Sequence, residues 1–249
     1  MDTREVIAPS APLRAAPSPD ASLDTEALKG ERVAVSEDDG EGWCRVLLAS
    51  DGYQGWMPAS ALAMPGAEPT HKVGVLRTLA FPGPSIKLPP LETLSFGCRI
   101  AVARIALPFA ITDAGLHFPA RHLVPVDAME RDPVAIAEQF AGTPYLWGGK
   151  TSLGLDCSGL VQVALTACGI ACPRDSHQQE VALGAPVPPG ADLKRGDLIF
   201  WKGHVAMARD ARTMIHANAW HMAVAVEQAE AAIARIRAAG SDVTSIRRL

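Results

Sequence analysis

The chain has 249 residues, 48% hydrophobic and 20% charged, within the ordinary range of globular domains. A formal net charge of −4 argues against a broad basic face for nucleic acid, and no apolar run approaches the roughly 20 residues that span a bilayer. Five cysteines, an odd number at irregular spacing, argue against a disulfide framework. The opening Met1-Asp2-Thr3-Arg4-Glu5-Val6 lacks the basic-then-apolar pattern of a secretory signal, so a cytoplasmic protein with reduced thiols is expected.

Residues 1–127 are rich in Pro and Gly, with short apolar runs and no sustained helical period, the pattern of small antiparallel barrels. This stretch repeats itself. Gly30-Glu31-Arg32-Val33-Ala34-Val35 recurs as Gly97-Cys98-Arg99-Ile100-Ala101-Val102, and Pro58-Ala59-Ser60-Ala61-Leu62 recurs as Pro119-Ala120-Arg121-His122-Leu123. Two copies in the same order imply two units of one small fold. In the first copy Asp51-Gly52 suits a tight turn, and Trp43 and Trp56 are expected to fill the core, with Phe118 in the place of Trp56 in the second. The first copy resembles a bacterial SH3-like barrel; the second is divergent. Boundaries are set at 1–66, 67–127 and 128–249.

Beyond Val126 the pattern changes. Asp132-Pro133 offers a helix N-cap followed by Pro at the first helical position, and Val134, Ala137, Phe140 and Ala141 keep helical spacing up to Gly142. A second helix is expected from Asp156 to Gly169, with Leu160, Val161, Ala164, Leu165 and Cys168 on one face. Strands are predicted at 197–201, 205–209 and 213–217, a helix at 227–239, and a final strand at 243–249. Helices followed by an antiparallel run define an α+β domain.

Cys157 stands where the second helix begins. Unpaired N–H groups and the positive end of the dipole favour a thiolate there, and Asp156 caps the helix start. The same N–H groups could hold the oxyanion of a tetrahedral intermediate. A thiol also needs a base. His204 and His216 lie on adjacent predicted strands. A hairpin turning around Asp210 would set them directly opposite each other, giving a nucleophile, a base and a ring to orient the base. Zinc held by Cys157, His204 and His216 is the competing arrangement, but no CxxC or paired-His spacing supports it. Cys168 and Cys172 are read as structural, and His71, His117, His122, His177 and His221 have no evident partners in the sequence.

Gly142-Thr143-Pro144-Tyr145-Leu146-Trp147-Gly148-Gly149, Leu155-Asp156-Cys157-Ser158-Gly159-Leu160-Val161-Gln162, Pro173-Arg174-Asp175-Ser176, Gly196-Asp197-Leu198-Ile199-Phe200, Gly203-His204-Val205 and Met214-Ile215-His216-Ala217 closely resemble the NlpC/p-sixty family of papain-like cysteine peptidases. The resemblance covers about 128–249. It implies Cys157 as nucleophile, His204 as base and His216 as the orienting residue, with no metal or cofactor. Two SH3-like barrels ahead of such a domain resemble a narrower branch, the γ-D-glutamyl-L-diamino-acid endopeptidases of murein recycling. These act on peptides bearing a free N-terminal L-Ala and release L-Ala-D-Glu. The resemblance further implies a substrate pocket lined by Trp147, Asp156, Ser158, Asp175 and Ser176, with Tyr53 contributed by the first barrel. A carboxylate is expected for the substrate ammonium, from Asp156 and from one of Asp20, Asp24 or Glu26. An amidase or acyltransferase on the same core, and a non-catalytic murein-binding protein, are the alternatives.

Overall fold

Alternating side chains explain the first half of the chain. The computed structural model describes residues 2–188 and 190–249, and the chain divides into two units, Met1–Ala128 and Met129–Leu249. The first unit opens with a seven-stranded antiparallel sheet in the order Leu23–Leu28, Ser10–Arg14, Gln54–Pro58, Trp43–Leu48, Arg32–Asp38, Asp2–Val6, Leu62–Ala63. Cys44, Val46 and Leu48 alternate inward along one strand and meet Val6, Leu13, Val33 and Met57 in a closed core. The expected tryptophan core is corrected by this alternation. With Cys44 and Met57 inward, Trp43 and Trp56 must face outward, and both are only half-buried. Trp56 instead stands opposite Arg14 and Arg45 on the outer face. The turn at Asp51-Gly52 forms as expected. Gly52 has φ +74°, and the Tyr53 N–H donates to the Asp51 carboxylate at 2.9 Å.

Residues 67–127 make smaller sheets. Arg77–Ala80 pairs with Glu92–Ser95, His71–Val73 lies between Arg99–Ile100 and Leu123–Pro125, and Phe109–Ile111 lies between Arg104–Ala106 and His117–Pro119. Their core gathers Val73, Leu94, Ile100, Ala110, Phe118 and Leu123, together with Leu28 from the preceding segment. The sequence repeat reappears in the backbone. The Val6 and Val73 N–H groups donate to Glu31 and Cys98 carbonyls, while the Gly30 and Gly97 N–H groups donate back to Val6 and Val73. Short 3₁₀ turns at Ala59–Ala61 and Ala120–His122 follow Pro58 and Pro119 of nearly equal backbone angles. In this register Phe118, which is fully buried, matches inward-facing Met57 and not Trp56. Lys29 and Glu92 are ion-paired at 2.7 Å, and the Arg99 N–H donates to the Lys29 carbonyl, tying the two segments together.

The second unit is built on a six-stranded antiparallel sheet, ordered Ala185–Pro186, Val243–Arg248, Leu198–Trp201, His204–Ala208, Thr213–Asn218, Ala223–Gln228. Its helices are α1 (Pro133–Gln139), α2 (Cys157–Ala167), α3 (Ser176–Ala182) and α4 (Ala229–Ala238). Asp132 caps α1 through the N–H groups of Val134 and Ala135, with Pro133 at the first helical position. Leu160, Val161, Ala164 and Leu165 bury one face of α2, whereas Cys168 is its half-exposed C-cap. Helix α3 was not foreseen. Glu227 was expected to open a helix but belongs to the strand Ala223–Gln228, and α4 begins only at Ala229. The Ala-rich run imitates a helix, yet residues 223–227 pair with Met214–Asn218 along the whole strand. No helix among the described residues is long and apolar enough to cross a membrane.

Candidate active site

Helix α2 starts at Cys157 because Asp156 caps it. Asp156 Oδ1 accepts the Gly159 N–H at 2.7 Å while Oδ2 accepts the Gly148 N–H at 2.8 Å, fastening the preceding loop to the helix start. Beneath them lies Arg174, a residue whose role the sequence did not disclose. It is 1% exposed and forks onto both Asp156 oxygens at 2.9 and 2.7 Å, with a further bond to Ser158 Oγ at 2.8 Å. This bidentate geometry suits a planar guanidinium and anchors the loop after α2 under the nucleophile helix. Gln179 on α3, also fully buried, donates to the Ser158 and Pro173 carbonyls at 2.9 and 2.8 Å. Helix α3 thereby clamps the same turn.

Across from α2, Trp201 and His204 close a two-residue hairpin whose Gly203 has φ +75°. The hairpin brings the Val205 N–H to the Cys157 sulfur, so the strand that begins at His204 lies against the thiol. His204 Nε2 is 2.8 Å from His216 Nδ1, and the Trp201 ring packs beside His204 at 5.5 Å. The inferred register needs correcting. Met207 pairs with Ile215 and Ala208 with Met214, a shift of two residues from direct opposition of the histidines. A shift of two keeps both rings on one face, and they meet diagonally.

Electrostatics departs from the expected thiolate. Burial first, and then the Asp156 charge, push the Cys157 thiol up to about 11 against the pull of the Val205 and Ser158 N–H groups. Burial likewise drives His204 down to about 3, helped by His216 and Arg235 and opposed by Glu227. Burial thus favours the uncharged form of each group. Tyr145 is raised to about 12 by burial and by the nearby Cys157 and Asp156, which keeps its phenol protonated at the site.

Two further groups complete the line of rings. His216 Nε2 lies 2.7 Å from Glu227 Oε1, which also accepts from Arg235 Nη2 at 2.6 Å, and the Arg235 guanidinium sits over the Trp220 ring at 4.9 Å. Glu227 carries no signal of this role in the sequence, where the Ala-rich run after it reads as a helix. Among the other expected residues, Ser158 is buried with Asp156, and Trp147 is 67% exposed. Asp175 is the N-cap of α3 but its side chain makes no capping bond; Ser176 is the first residue of that helix. Tyr53 packs on the core of the first unit, where Asp20 is exposed, Asp24 half-buried and Glu26 buried. Four of the five histidines without evident partners in the sequence have one: His71 with Thr70, His122 with Thr78, His117 with the Gly115 carbonyl and His221 with Asn218. Among the described residues no His, Cys, Asp and Glu cluster is arranged to hold a metal ion.

Comparison with known proteins places both halves of the chain. Residues 13–62 match the bacterial dipeptidyl-peptidase SH3 domain, and residues 142–239 match the NlpC/P60 family. The chain is 32% identical over 227 residues to a γ-D-glutamyl-L-lysine dipeptidyl-peptidase of Bacillus cereus, covering 78% of this chain and 67% of that protein. A Bacillus subtilis protein of the same name is 31% identical over 215 residues, covering 78% of this chain and 72% of its own. The crystal structure of an NlpC/P60 family protein from Bacillus cereus superposes with a TM-score of 0.83 over 99% of both chains at 24% identity, which establishes a common fold. A sulfur at a helix start, imidazoles on the facing strands and relatives aligned along most of their length lead to one assignment: the chain belongs to the NlpC/P60 family of cysteine peptidases.

Proposed function

We propose that this peptidase hydrolyses the γ-D-glutamyl bond to an L-diamino acid in murein-derived peptides with a free N-terminal L-Ala, releasing L-Ala-D-Glu during cell-wall peptide recycling. Cys157 is the nucleophile, His204 its base and His216 the residue that orients the base. The observation that supports this reading is that the Val205 N–H meets the Cys157 sulfur, while the residue before it, His204, has its Nε2 2.8 Å from His216 Nδ1. Because burial favours the neutral thiol, His204 takes its proton as sulfur attacks the carbonyl, and returns it to the departing amine. Water then clears the thioester.

The substrate class follows from the two relatives of that name and from the SH3-like module at residues 13–62. We assign residues 1–66 to this barrel, 67–127 to a second, divergent SH3-like barrel supported by the repeated hydrogen bonds, and 128–249 to the papain-like catalytic domain. Trp147, Asp156, Ser158, Asp175 and Ser176 are proposed to bind substrate, as is Tyr53 by family resemblance. Asp156 already accepts from Gly148, Gly159, Ser158 and Arg174, so it acts on a substrate ammonium through its charge more than through a free lone pair. An odd number of cysteines at irregular spacing suits a reducing compartment, and the cytoplasm is the proposed location.

Incubating the protein with L-Ala-γ-D-Glu-L-Lys and its meso-diaminopimelate counterpart, with and without N-acetylation, tests the reading by mass spectrometry. Free-amine peptides should release L-Ala-D-Glu, Cys157→Ala should abolish release, and His204→Ala should lower it by about 10³-fold or more. His216→Ala should lower kcat more than it changes KM. Undiminished turnover by Cys157→Ala, or cleavage confined to acetylated peptides, would overturn it.

A further inference from the structure

The two imidazoles raise a question that the Cys157–His204–His216 line leaves open: each neutral ring carries one proton on either of two nitrogens, and only one choice lets His204 act as a base. The residues behind His216 answer it. His216 is 1% exposed, and Ala225, directly opposite it on the neighbouring strand, is small enough for Glu227 to approach diagonally. Glu227 Oε1 lies 2.7 Å from His216 Nε2 and is held from its other side by Arg235 Nη2 at 2.6 Å. Arg235 in turn is braced over the Trp220 ring.

We propose that Glu227 is a positioning residue for the peptidase reaction, acting through His216 to leave the lone pair of His204 on Nδ1, the ring nitrogen not engaged by His216. An ionised carboxylate only accepts hydrogen bonds, so His216 Nε2 must carry the proton and donate. Neutral His216 then has its lone pair on Nδ1, and His204 Nε2 must donate to it across 2.8 Å. His204 Nδ1 is therefore the nitrogen left to receive the Cys157 proton. Burial alone would raise the Glu227 carboxyl, but its bonds to His216 and Arg235 hold it below the usual range, so it stays an acceptor. When His204 becomes imidazolium, the same carboxylate supplies the compensating charge one ring away.

This inference rests on the peptidase reading, but one arm of its test does not. Nitrogen-15 spectra of histidine-labelled protein should show His204 protonated on Nε2 and bare on Nδ1 in the wild type. Glu227→Ala should scramble that state and lower kcat by about 100-fold with KM changed less than about 2-fold, on the scale of losing a tautomer-fixing group. Glu227→Gln, which keeps an acceptor oxygen without the charge, should keep the bare Nδ1 and recover kcat to within about 10-fold of wild type. It also carries the test should Glu227→Ala fail to fold. A proton on His204 Nδ1 in the wild type or in Glu227→Gln, or wild-type kcat in folded Glu227→Ala, overturns the proposal. A wild-type enzyme inert towards every peptide would defeat the peptidase reading instead, and the nitrogen spectra would still decide the tautomer.

Discussion

At the scale of single residues, the site combines a thiol pushed up to about 11 with an imidazole pushed down to about 3, both chiefly by burial. The helix start and two backbone N–H groups favour the thiolate, yet neither offsets the loss of solvent around the sulfur. The pH dependence follows in sign. His204 loses its basic lone pair only when protonated, and a lowered pKa places that event well below the ordinary imidazole value of about 6.5. The kcat/KM of the free enzyme should therefore stay level from about pH 8 down to about pH 5. An acidic limb near pH 6.5, measured on the peptide substrate, would show that burial does not lower the ring's pKa.

At the scale of elements, α2 is positioned by what it lacks as well as by its cap. A Cβ at Gly159 would land on the Gly149 carbonyl oxygen, so the helix can approach the preceding loop only with glycine there. Gly159→Ala should cost about 2 kcal/mol of stability in urea titration and lower activity by displacing Cys157. Caps and periodic apolar faces made α1 and α2 legible, and Asp132, Pro133 and Asp156 stand where their chemistry predicts. Parity in the strands was legible too: His204 and His216 share a face, although the register differs by two residues, because sequence alone sets alternation and not the length of a turn. Glu227 could not be found that way. Ala223–Gln228 is rich in Ala, and only pairing with Thr213–Asn218 makes it a strand and aims its carboxylate at His216.

At the scale of the whole chain, the first unit repeats one set of backbone hydrogen bonds, around Val6 and Gly30 and again around Val73 and Gly97. Gly30 and Gly97 hold equivalent positions with φ of +82° and +86°, but their surroundings differ. A Cβ at Gly30 would sit 2.6 Å from the Arg99 carbonyl oxygen, where the two segments meet, whereas at Gly97 the nearest atom, on Leu28, is 3.4 Å away. Gly97→Ala should cost about 1 kcal/mol, the strain of a left-handed backbone, and Gly30→Ala about 2–3 kcal/mol. Equal losses in thermal melting would mean that the junction between segments yields. The repeat is readable in the sequence, but its aromatic core is not. Large size favours Trp43 and Trp56 as core residues; alternation from Cys44 and Met57 turns them out.

Arg174 has one more consequence. A guanidinium does not shed its proton in any usable buffer, so the ground under Asp156 and Ser158 carries the same positive charge in acid and in alkali. Titrating the enzyme therefore changes the reacting groups above a guanidinium whose own charge stays constant.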